Sequence, residues 1–382
     1  MKIKDYDKLK KIISEFDIKG DIKDIRPIDN GIINTTYVAT FDDNNKDRKY
    51  LLQKINVNIF KEPYRLMKNI ENVTKFMNGK EENENNISVI SSKDGASLYV
   101  DTDDFAHKEY YRVYNYIDDS ITYNKSVSPD VVYNTGKAFG HFQSVLKDYP
   151  MELLEETIKD FHNTKKRYHN FLESYKLDAV GRRNTAYEEI CKIMSRADDC
   201  NIIVDLIDKK KIPNRVTHND TKVNNVLMNP KTGEPIAVID LDTVMPGSGL
   251  YDYGDGVRSA ASSALEDEKD LNKVYLDMDL FKAYTDGYLS EMAKYLKPAE
   301  VANMGNSIKI ITLELAIRFL DDYLNGDTYF KTNYKDHNLV RAKNQLKLVE
   351  DIENKMPEIN NYVNESYKKL TGKAKVKKRK NA

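Results

Sequence analysis

The amino-acid sequence predicts an α+β protein of two lobes, a small antiparallel-sheet N-lobe and a mainly helical C-lobe. Short runs of β-branched and aromatic residues, separated by polar turns, are concentrated between residues 25 and 117. Apolar residues at helical spacing dominate residues 128–356. One pair of strand-like runs, residues 225–229 and 235–239, lies inside that helical part. Strands gathered in one part of a chain and helices in another are typical of α+β proteins.

The composition is that of an ordinary soluble protein. The 382 residues carry a formal net charge of −1, with 40% hydrophobic and 32% charged residues. A net charge this close to zero gives no general attraction to nucleic acid or to anionic membranes. The two cysteines, Cys191 and Cys200, indicate neither a disulfide framework nor a metal site. The sequence shows no signal peptide and no membrane-length apolar run. We expect a cytoplasmic monomer that binds neither nucleic acid nor membrane.

The N-lobe elements follow from hydrophobic periodicity and from turn residues. Residues 4–18 place four apolar residues on one helix face, Leu9, Ile12, Ile13 and Phe16. Strands are predicted at residues 25–28, 37–41, 50–55, 87–90, 97–100 and 110–117, and a second helix at residues 63–77. We place the lobe boundary near Ile117, so that residues 1–117 form the first domain.

The C-lobe begins with a helix whose start is marked by Ser128 as cap and Pro129 in the first turn. Gly136 and Gly140 lie on one face of this helix, where another element could pack closely. Further helices are predicted at residues 153–210, with a break near 177–181, and at residues 307–324 and 340–356. Residues 118–360 form this second domain, and the basic residues 361–382 are predicted to be a frayed tail.

Polar side chains cluster around the two strand-like runs of the C-lobe. The turn between the runs, residues 230–233, reads Pro-Lys-Thr-Gly. Asp220 and Asn225 precede the first run or begin it, and Asp240 follows the second. Because a hairpin brings its outer ends together, these three side chains should converge. Two carboxylates and one carboxamide suit Mg²⁺, which keeps several waters and also binds substrate phosphates.

The spacing of these residues matches a kinase catalytic loop. The pattern His218-x-Asp220-x-x-x-x-Asn225 is present, joined by a short hairpin to an apolar strand that ends in Asp240. In that pattern Asp220 receives the proton of the attacking hydroxyl, and Asn225 and Asp240 bind the metal. Lys222 is placed where its ammonium could meet the migrating phosphoryl group. An exposed polar hairpin is the alternative, and the full spacing makes it the weaker one.

Two other residues of this stretch are assigned structural roles. His218 has no serine or cysteine nucleophile as a visible partner, so we expect it to bond backbone near the loop. Asp255 closes the sequence Tyr-Asp-Tyr-Gly-Asp of residues 251–255. We expect Asp255 to cap the next helix or to support the catalytic loop.

On these residues the chain resembles the aminoglycoside phosphotransferase and choline kinase-like family, whose members share a protein-kinase-like fold. Within that family it looks like the N-acetylhexosamine 1-kinase group. The resemblance extends over most of residues 20–355 and is carried by residues 217–226, 238–255, 261–271, 311–330 and 337–352. It implies a bilobal kinase that binds ATP and Mg²⁺ in a cleft. It also implies that the γ-phosphoryl group moves to the anomeric hydroxyl of an N-acetylhexosamine.

The resemblance further implies which residues cover the nucleotide. The loop between the first two strands contains Gly31, Asn34 and Thr35 and would lie over the phosphates, although it lacks the GxGxxG of protein kinases. Tyr114 and Tyr116 lie on the strand that would lead into the hinge beside the adenine.

Kinases also hold the phosphates with a strand lysine, and Lys54 is the available cation here. Gln53 could occupy the equivalent register, and a solvent-facing lysine is the structural alternative. Glu71, on the following helix, is the candidate ion-pair partner of Lys54, with an exposed helix glutamate as the alternative.

Arg318 lies in the middle of an apolar helix, and a buried arginine needs a partner. Glu314, four residues earlier, could supply one. The resemblance instead implies that Arg318 and Tyr329 contact the sugar, and an aromatic ring beside a pyranose is physically sensible. Phe161, His162 and Asn163 are possible substrate contacts, although an ordinary surface or core hydrogen bond accounts for His162.

Two alternative functions stay open at this point. One is a kinase for another small hydroxyl compound, such as an amino alcohol, an aminoglycoside or methylthioribose. The other is a catalytically inactive scaffold that uses its basic tail. The scaffold is disfavoured because Asp220, Asn225 and Asp240 are all present.

Overall fold

The computed structural model describes residues 6–28, 33–80, 86–104, 107–124 and 128–380. The chain forms two compact units, each built from several stretches. The first comprises residues 1–120, 148–158 and 236–245, and the second comprises residues 121–147, 159–235 and 246–382. A sheet dominates the first unit and helices the second, which confirms the predicted α+β class. The domain limits predicted from the sequence stay predictions.

An antiparallel sheet organises the first unit. Within the described ranges it has six strands, β1 Asp21–Ile28, β2 Thr35–Asp43, β3 Lys46–Lys54, β4 Val89–Ile90, β5 Tyr99–Asp104 and β6 His107–Asn115. The strand order is β1-β2-β3-β6-β4, and β5 also pairs with β6. The unit also contains helices α1 Tyr6–Ile13 and α2 Pro63–Lys80. The predicted strands are therefore present, with limits that shift by a few residues.

The helix α1 packs on one face of this sheet and forms a core with it. Leu9, Ile12 and Ile13 of α1 are buried against strand residues that include Leu52 and Val113. Each fully buried aliphatic side chain of this kind contributes about 1.5–3 kcal/mol. The periodicity that predicts the helix also predicts which side of it is buried, although the helix itself is shorter than residues 4–18.

The register of the central strands decides which side chains share a face. Gln53 of β3 lies opposite Thr36 of β2 and Arg112 of β6. Lys54 lies opposite Thr35 and Tyr111. Because successive side chains of a strand point to opposite faces, Gln53 and Lys54 belong to different faces of the sheet.

Helices form most of the second unit. They are α3 Pro129–Val145, α4 Thr164–Leu177, α5 Tyr187–Met194, α6 Ile202–Asp208, α7 Gly249–Ala261, α8 Met278–Met292, α9 Pro298–Leu324 and α10 His337–Lys380. Short strands lie between them or at the border of the unit, β7 Arg215–Thr217, β8 Val226–Met228, β9 Pro235–Val238 and β10 Met245–Gly247. Ser128 caps α3 through a bond from Val131 N–H, as the sequence predicts.

The glycines of α3 allow this helix to approach α8 closely. A Cβ atom at Gly136 would lie 2.3 Å from the Tyr284 carbonyl oxygen, and one at Gly140 would lie 2.7 Å from the Tyr288 carbonyl oxygen. Gly287 of α8 meets the Tyr133 carbonyl in the same way. The predicted close packing is confirmed, and any larger residue at these positions would push the two helices apart.

The turn after β8 has the predicted form. Asn229 N–H donates to the Glu234 carbonyl at 2.9 Å, and Gly233 N–H donates to the Asn229 carbonyl at 2.8 Å. Gly233 has a φ of +72°, a conformation that glycine adopts at little cost. On the other side of β8, Met228 and Ile121 exchange two backbone hydrogen bonds of 2.9 Å.

The last helix continues well beyond its predicted end near residue 356. α10 runs to Lys380 and contains Pro357, which cannot donate a helical N–H. Ile359 and Val363 are buried in the core of the second unit, and Tyr367 packs against that core. Burial of this apolar stripe explains why the helix continues past the proline and into the basic segment.

Candidate active site

The predicted catalytic loop follows β7 and is held by α7. The buried Asp252 carboxylate accepts His218 N–H at 2.9 Å and Asn219 N–H at 2.8 Å. It also accepts the Gln143 side-chain amide at 2.8 Å. Burial raises the pKa of Asp252, and these donors oppose the rise. Asn219 has a φ of +64°, so the loop stores backbone strain next to Asp220, and the bonds to Asp252 hold it there.

His218 has the structural contacts that its sequence context predicts. Its ring is buried and packs edge-on against Phe139 and Phe142, with ring centroids 5.3 and 5.8 Å away. Its Nδ1 atom accepts the backbone N–H of Asp220 at 3.3 Å. The imidazole therefore fixes the backbone of the neighbouring aspartate.

Asp255 supports the same loop three residues further along α7. Its carboxylate accepts Thr221 N–H at 3.1 Å, and the Thr221 hydroxyl donates to the Asp252 carbonyl at 2.7 Å. Arg258 donates to Asp255 at 2.9 Å and to Glu266 at 2.7 Å. Of the two roles predicted for Asp255, the structure therefore shows support of the loop.

Asp220 lies at the centre of a small charged cluster. Its side chain is 25% exposed, and Lys222 Nζ lies 2.8 Å from its Oδ1 atom. Asn225 Nδ2 donates to the other carboxylate oxygen at 3.1 Å and to the Asp220 carbonyl at 2.9 Å. Burial acts to raise the pKa of Asp220, but Lys222, with smaller contributions from His218 and Asn225, outweighs it and the pKa is lowered. Asp220 likewise raises the pKa of Lys222. An ionised, partly exposed carboxylate is thus fixed in place.

Asn225 and Asp240 are the predicted metal ligands. The Asn225 amide nitrogen is engaged with Asp220, while its Oδ1 atom accepts no hydrogen bond from any described residue. That leaves an amide oxygen available for a hard cation. Asp240 belongs to the first unit and has a φ of +62°. The convergence of Asn225 with Asp240 stays a prediction.

Asp242, two residues after Asp240, forms a buried ion pair with Arg112. Arg112 Nη1 is 2.5 Å from Asp242 Oδ1, and both side chains are at most 4% exposed. Asn34 Nδ2 donates to Asp242 Oδ2 at 2.6 Å, and Arg112 Nε donates to Gln53 Oε1 at 3.0 Å. Burial acts to lower the pKa of Arg112, but Asp242, Tyr114 and Asp240 together outweigh it and the pKa is raised. The sequence analysis does not predict a role for Arg112. The only sequence feature that points to this pair is Asp242, the second aspartate of Asp-Leu-Asp.

The predicted ion pair between Lys54 and Glu71 is wrong. The Lys54 ammonium binds the Glu109 carboxylate, and Glu71 binds Lys75 one helical turn away at 2.5 Å. The strand alternation explains the difference, because Lys54 shares its face with Tyr111 and Glu109. Gln53 lies on the face of Arg112, where it bonds Arg112. Phosphate binding by Lys54 stays a prediction.

The other residues predicted to contact the nucleotide differ in their exposure and in their contacts within the protein. Gly31 lies outside the described residues. The Asn34 amide is used by the protein itself, because its Oδ1 atom also accepts Asn56 N–H at 2.9 Å. Thr35 is exposed at the start of β2. The buried Tyr114 ring packs on the Arg112 guanidinium at 5.2 Å, and Lys49 lies 5.3 Å over the Tyr116 ring. The roles of these residues toward ATP stay predictions.

Arg318 and Tyr329, the predicted sugar contacts, lie close together, and their contact with a sugar stays a prediction. The Arg318 guanidinium lies 5.3, 5.5 and 5.9 Å from the ring centroids of Phe161, Phe330 and Tyr329. No described residue forms a hydrogen bond or an ion pair with this guanidinium. The Asp322 carboxylate accepts the N–H groups of Tyr329 and Phe330 and thereby holds their loop. Tyr329 remains 58% exposed and is available to a ligand.

Glu314 does not form the alternative ion pair with Arg318. Its buried carboxylate lies 2.8 Å from His162 Nδ1 and accepts the Thr164 hydroxyl at 2.6 Å. Burial acts to raise the pKa of Glu314, but His162, Arg318 and Thr164 together outweigh it, so that the pKa is lowered. His162 therefore has the ordinary hydrogen bond expected of it, but with a partner that the sequence does not indicate.

The described ranges contain neither a preformed metal cluster nor a membrane-spanning helix. No group of three or more His, Cys, Asp and Glu side chains there is arranged to hold a metal ion by itself. No helix in those ranges is long and apolar enough to cross a membrane.

The fold and the catalytic loop together define a protein of the protein-kinase-like class. A family model described as the phosphotransferase enzyme family matches residues 24–285, and the chain belongs to that family. The chain is also similar to several solved structures. An aminopropanol kinase associated with a microcompartment is 13% identical with a TM-score of 0.63, and the match covers 93% of this chain and 99% of that one.

Two further structures have the same fold. Amicoumacin kinase, solved in complex with AMP-PNP, Ca²⁺ and Ami, is 14% identical with a TM-score of 0.58, and the match covers 92% of this chain and 94% of that one. Ethanolamine kinase of Plasmodium vivax is 15% identical with a TM-score of 0.52, covering 84% and 82%. At these identities the likeness establishes the fold, and the acceptor must be argued from the site.

Proposed function

We propose that the protein is an ATP- and Mg²⁺-dependent kinase that phosphorylates the anomeric hydroxyl of an N-acetylhexosamine. The observation that carries the phosphotransfer is the Asp220 cluster. An ionised and partly exposed carboxylate is fixed between Lys222 and Asn225, in a chain that belongs to the phosphotransferase enzyme family. The sequence resemblance to the N-acetylhexosamine 1-kinase group supports the choice of acceptor.

In this proposal Asp220 orients the acceptor hydroxyl and receives its proton. A carboxylate with a lowered pKa is a weak base. That suffices here, because phosphoryl transfer has a loose transition state in which positioning and charge stabilisation account for most of the catalysis. Lys222 holds Asp220 and places a positive charge beside the path of the phosphoryl group.

Asn225 through its Oδ1 atom and Asp240 through its carboxylate would hold Mg²⁺. The donor set fits, because Mg²⁺ takes one or two protein oxygens and completes its shell with waters and phosphates. When bound, the ion would neutralise charge on the β- and γ-phosphates. Asp242 is not proposed as a ligand, since Arg112 and Asn34 engage both of its carboxylate oxygens.

The nucleotide side of the proposal rests on the resemblance. Backbone groups around Gly31, Asn34 and Thr35 would cover the phosphates, and Lys54 would lie near them. Tyr114 and Tyr116 would border the adenine. The solved structures with AMP-PNP and with ADP support ATP as the donor.

The charge around Arg318 supports a neutral acceptor. Aminopropanol, ethanolamine and choline, which the names of similar structures mention, are all cationic. The Arg318 guanidinium, which forms no ion pair with a described residue, would repel such amines. The same guanidinium can donate to the carbonyl oxygen of an acetamido group, and the Phe161, Tyr329 and Phe330 rings can pack on a pyranose. The second guanidinium in the area, Arg167, bonds the Phe161 carbonyl at 3.0 Å.

The deciding experiment is an acceptor panel with ATP and Mg²⁺. It would compare N-acetylglucosamine, N-acetylgalactosamine, their 1-deoxy analogues, choline, ethanolamine, an aminoglycoside and methylthioribose. We expect turnover of the two N-acetylhexosamines and a product whose phosphorus signal couples to the anomeric proton. Turnover of a 1-deoxy sugar, phosphate on another oxygen, or a preference for a cationic acceptor would overturn the assignment. Asp220→Asn serves as the inactive control.

A further inference from the structure

His162 and Glu314 form a buried pair that has no role in the proposed phosphotransfer mechanism. The His162 side chain is 9% exposed and the Glu314 side chain is 1% exposed. The imidazole is stacked on Tyr251, with ring centroids 5.2 Å apart, and meets the edge of Phe161 at 4.6 Å. The close contact of the buried carboxylate and imidazole with two aromatic rings restricts the movement of the pair.

The second nitrogen of this imidazole reaches the catalytic loop. His162 Nε2 lies 3.4 Å from the Asn219 carbonyl oxygen, a long hydrogen bond. Asn219 immediately precedes Asp220, is buried, and has its strained φ of +64°. Its N–H is taken by Asp252. The backbone of Asn219 is therefore held at both polar groups. His162 contacts its carbonyl oxygen, which belongs to the peptide bond to Asp220, and Asp252 accepts its N–H.

The chemistry of the Asn219 carbonyl determines which protonation the imidazole needs for this hydrogen bond. The Asn219 carbonyl oxygen can only accept, so the contact on that side requires a hydrogen on Nε2. The Glu314 carboxylate is fixed in turn by the Thr164 hydroxyl. Four groups thus form a continuous chain from Thr164 through Glu314 and His162 to the Asn219 carbonyl.

This chain joins the catalytic loop to the helix that carries Arg318. Glu314 and Arg318 both lie on α9, one helical turn apart. Phe161, which meets the His162 ring, is also one of the three rings around the Arg318 guanidinium. A shift of α9 would therefore move the support of the Asp220 peptide together with Arg318.

We propose that His162 is a positioning residue that sets the Asp220 peptide relative to α9 by donating its Nε2 hydrogen to the Asn219 carbonyl. The proposal rests on the proposed phosphotransfer at Asp220. It predicts that loss of this one hydrogen bond lowers kcat, because a misplacement of about 1 Å at a reacting group can cost about 100-fold in rate.

Two substitutions of His162 separate the contributions of its two ring nitrogens. In His162→Gln the amide nitrogen reaches about as far as Nε2, so the bond to Asn219 can be kept while the bond to Glu314 is lost. In His162→Asn the amide nitrogen lies near the position of Nδ1, so the opposite holds. We expect His162→Asn to lower kcat about tenfold or more with an unchanged KM for ATP. His162→Gln should stay within about threefold of the wild type. His169→Asn, at an exposed position of α4, is the matched control and should leave kcat unchanged.

Two readouts separate this inference from the proposed function. Backbone amide signals of Asn219 and Asp220 should shift in His162→Asn and remain near wild type in His162→Gln, whatever the acceptor is. A wild-type protein inactive on the whole acceptor panel would count against the function, and these shifts would still test the hydrogen bond.

Three results would overturn the positioning role. They are a His162→Asn variant with wild-type kcat, equal losses of kcat in both variants, and a failure of both variants to fold. The last result would assign the pair to stability alone.

Discussion

Replacing Arg112 by methionine should destabilise the protein far more than an ordinary loss of an ion pair. The Arg112 and Asp242 side chains are at most 4% exposed, so neither charge is solvated when its partner is removed. Breaking a buried pair from one side costs about 3–5 kcal/mol, because it leaves an uncompensated charge in the interior. The lost bond to Gln53 adds about 1 kcal/mol. Methionine fills most of the arginine volume, so the cavity contribution is small.

The assay is urea unfolding of four proteins, namely wild type, Arg112→Met, Asp242→Asn and the double variant. Asp242→Asn keeps an oxygen that accepts the Asn34 amide and removes only the charge. Since the double variant has no unpaired charge, its loss should be smaller than the sum of the single losses by about 1–3 kcal/mol. The double variant should also be recovered in folded form if Arg112→Met alone is not.

Arg48→Met is the matched control for this experiment. Arg48 lies on β3 of the same sheet and binds Asp43 at 2.9 Å, but its side chain is 60% exposed. Removing an exposed pair costs about 0–1 kcal/mol. An Arg112→Met loss as small as that of the control, or strictly additive losses in the cycle, would refute the reasoning from burial.

Four other predictions concern the proposed site and the sheet. Asp220→Asn should lower turnover about 100- to 10,000-fold with the fold intact, and near-normal turnover would remove Asp220 from the mechanism. Asp240→Ala should abolish Mg²⁺-dependent turnover, whereas retained activity and Mg²⁺ dependence would place the metal elsewhere. Arg318→Ala should raise the acceptor KM more than the ATP KM, and a protein with normal acceptor KM would contradict contact with the acceptor. Lys54, Tyr111 and Lys8 outweigh burial and lower the pKa of Glu109 to about 2, so its contribution to stability is present above pH 4.5 and is lost as the pH falls toward 2. The unfolding free energies of wild type and Glu109→Gln should therefore converge on acidification.

The sequence predicts well the features that depend on neighbours along the chain. Helical spacing identifies the buried faces of α1 and α9, because that spacing reports the apolar stripe directly. The His218 to Asn225 pattern likewise specifies a loop whose residues are in contact across a few positions, and the structure brings Asp220, Lys222 and Asn225 together. The support that Asp255 gives to the loop is one of the two roles predicted from its segment, although its loop partner Thr221 lies 34 positions earlier.

Ion-pair partners were harder to predict, because the competing group lies far away in sequence. The predicted ion pair between Lys54 and Glu71 rests on the kinase pattern, in which a strand lysine binds a glutamate of the following helix. The actual partner of Lys54, Glu109, lies on β6, and only the β3 to β6 register places it nearby. Arg112 escaped notice for the same reason, since its partner Asp242 is 130 positions away and no local pattern connects them.

The failure of the local rule at Glu314 bears directly on the proposed acceptor. Residues four apart on a helix are neighbours, and an isolated helix would pair Glu314 with Arg318. In the folded chain His162 and Thr164, more than 100 positions earlier, already engage both oxygens of the Glu314 carboxylate. The Arg318 guanidinium is left among three aromatic rings that can stabilise its charge but offer it no carboxylate. An arginine that forms no hydrogen bond with a described residue and lies among aromatic rings gains most from a neutral ligand with a strong oxygen acceptor. The acetamido carbonyl of the proposed sugar is such an acceptor, whereas the ammonium group of an amino alcohol is not.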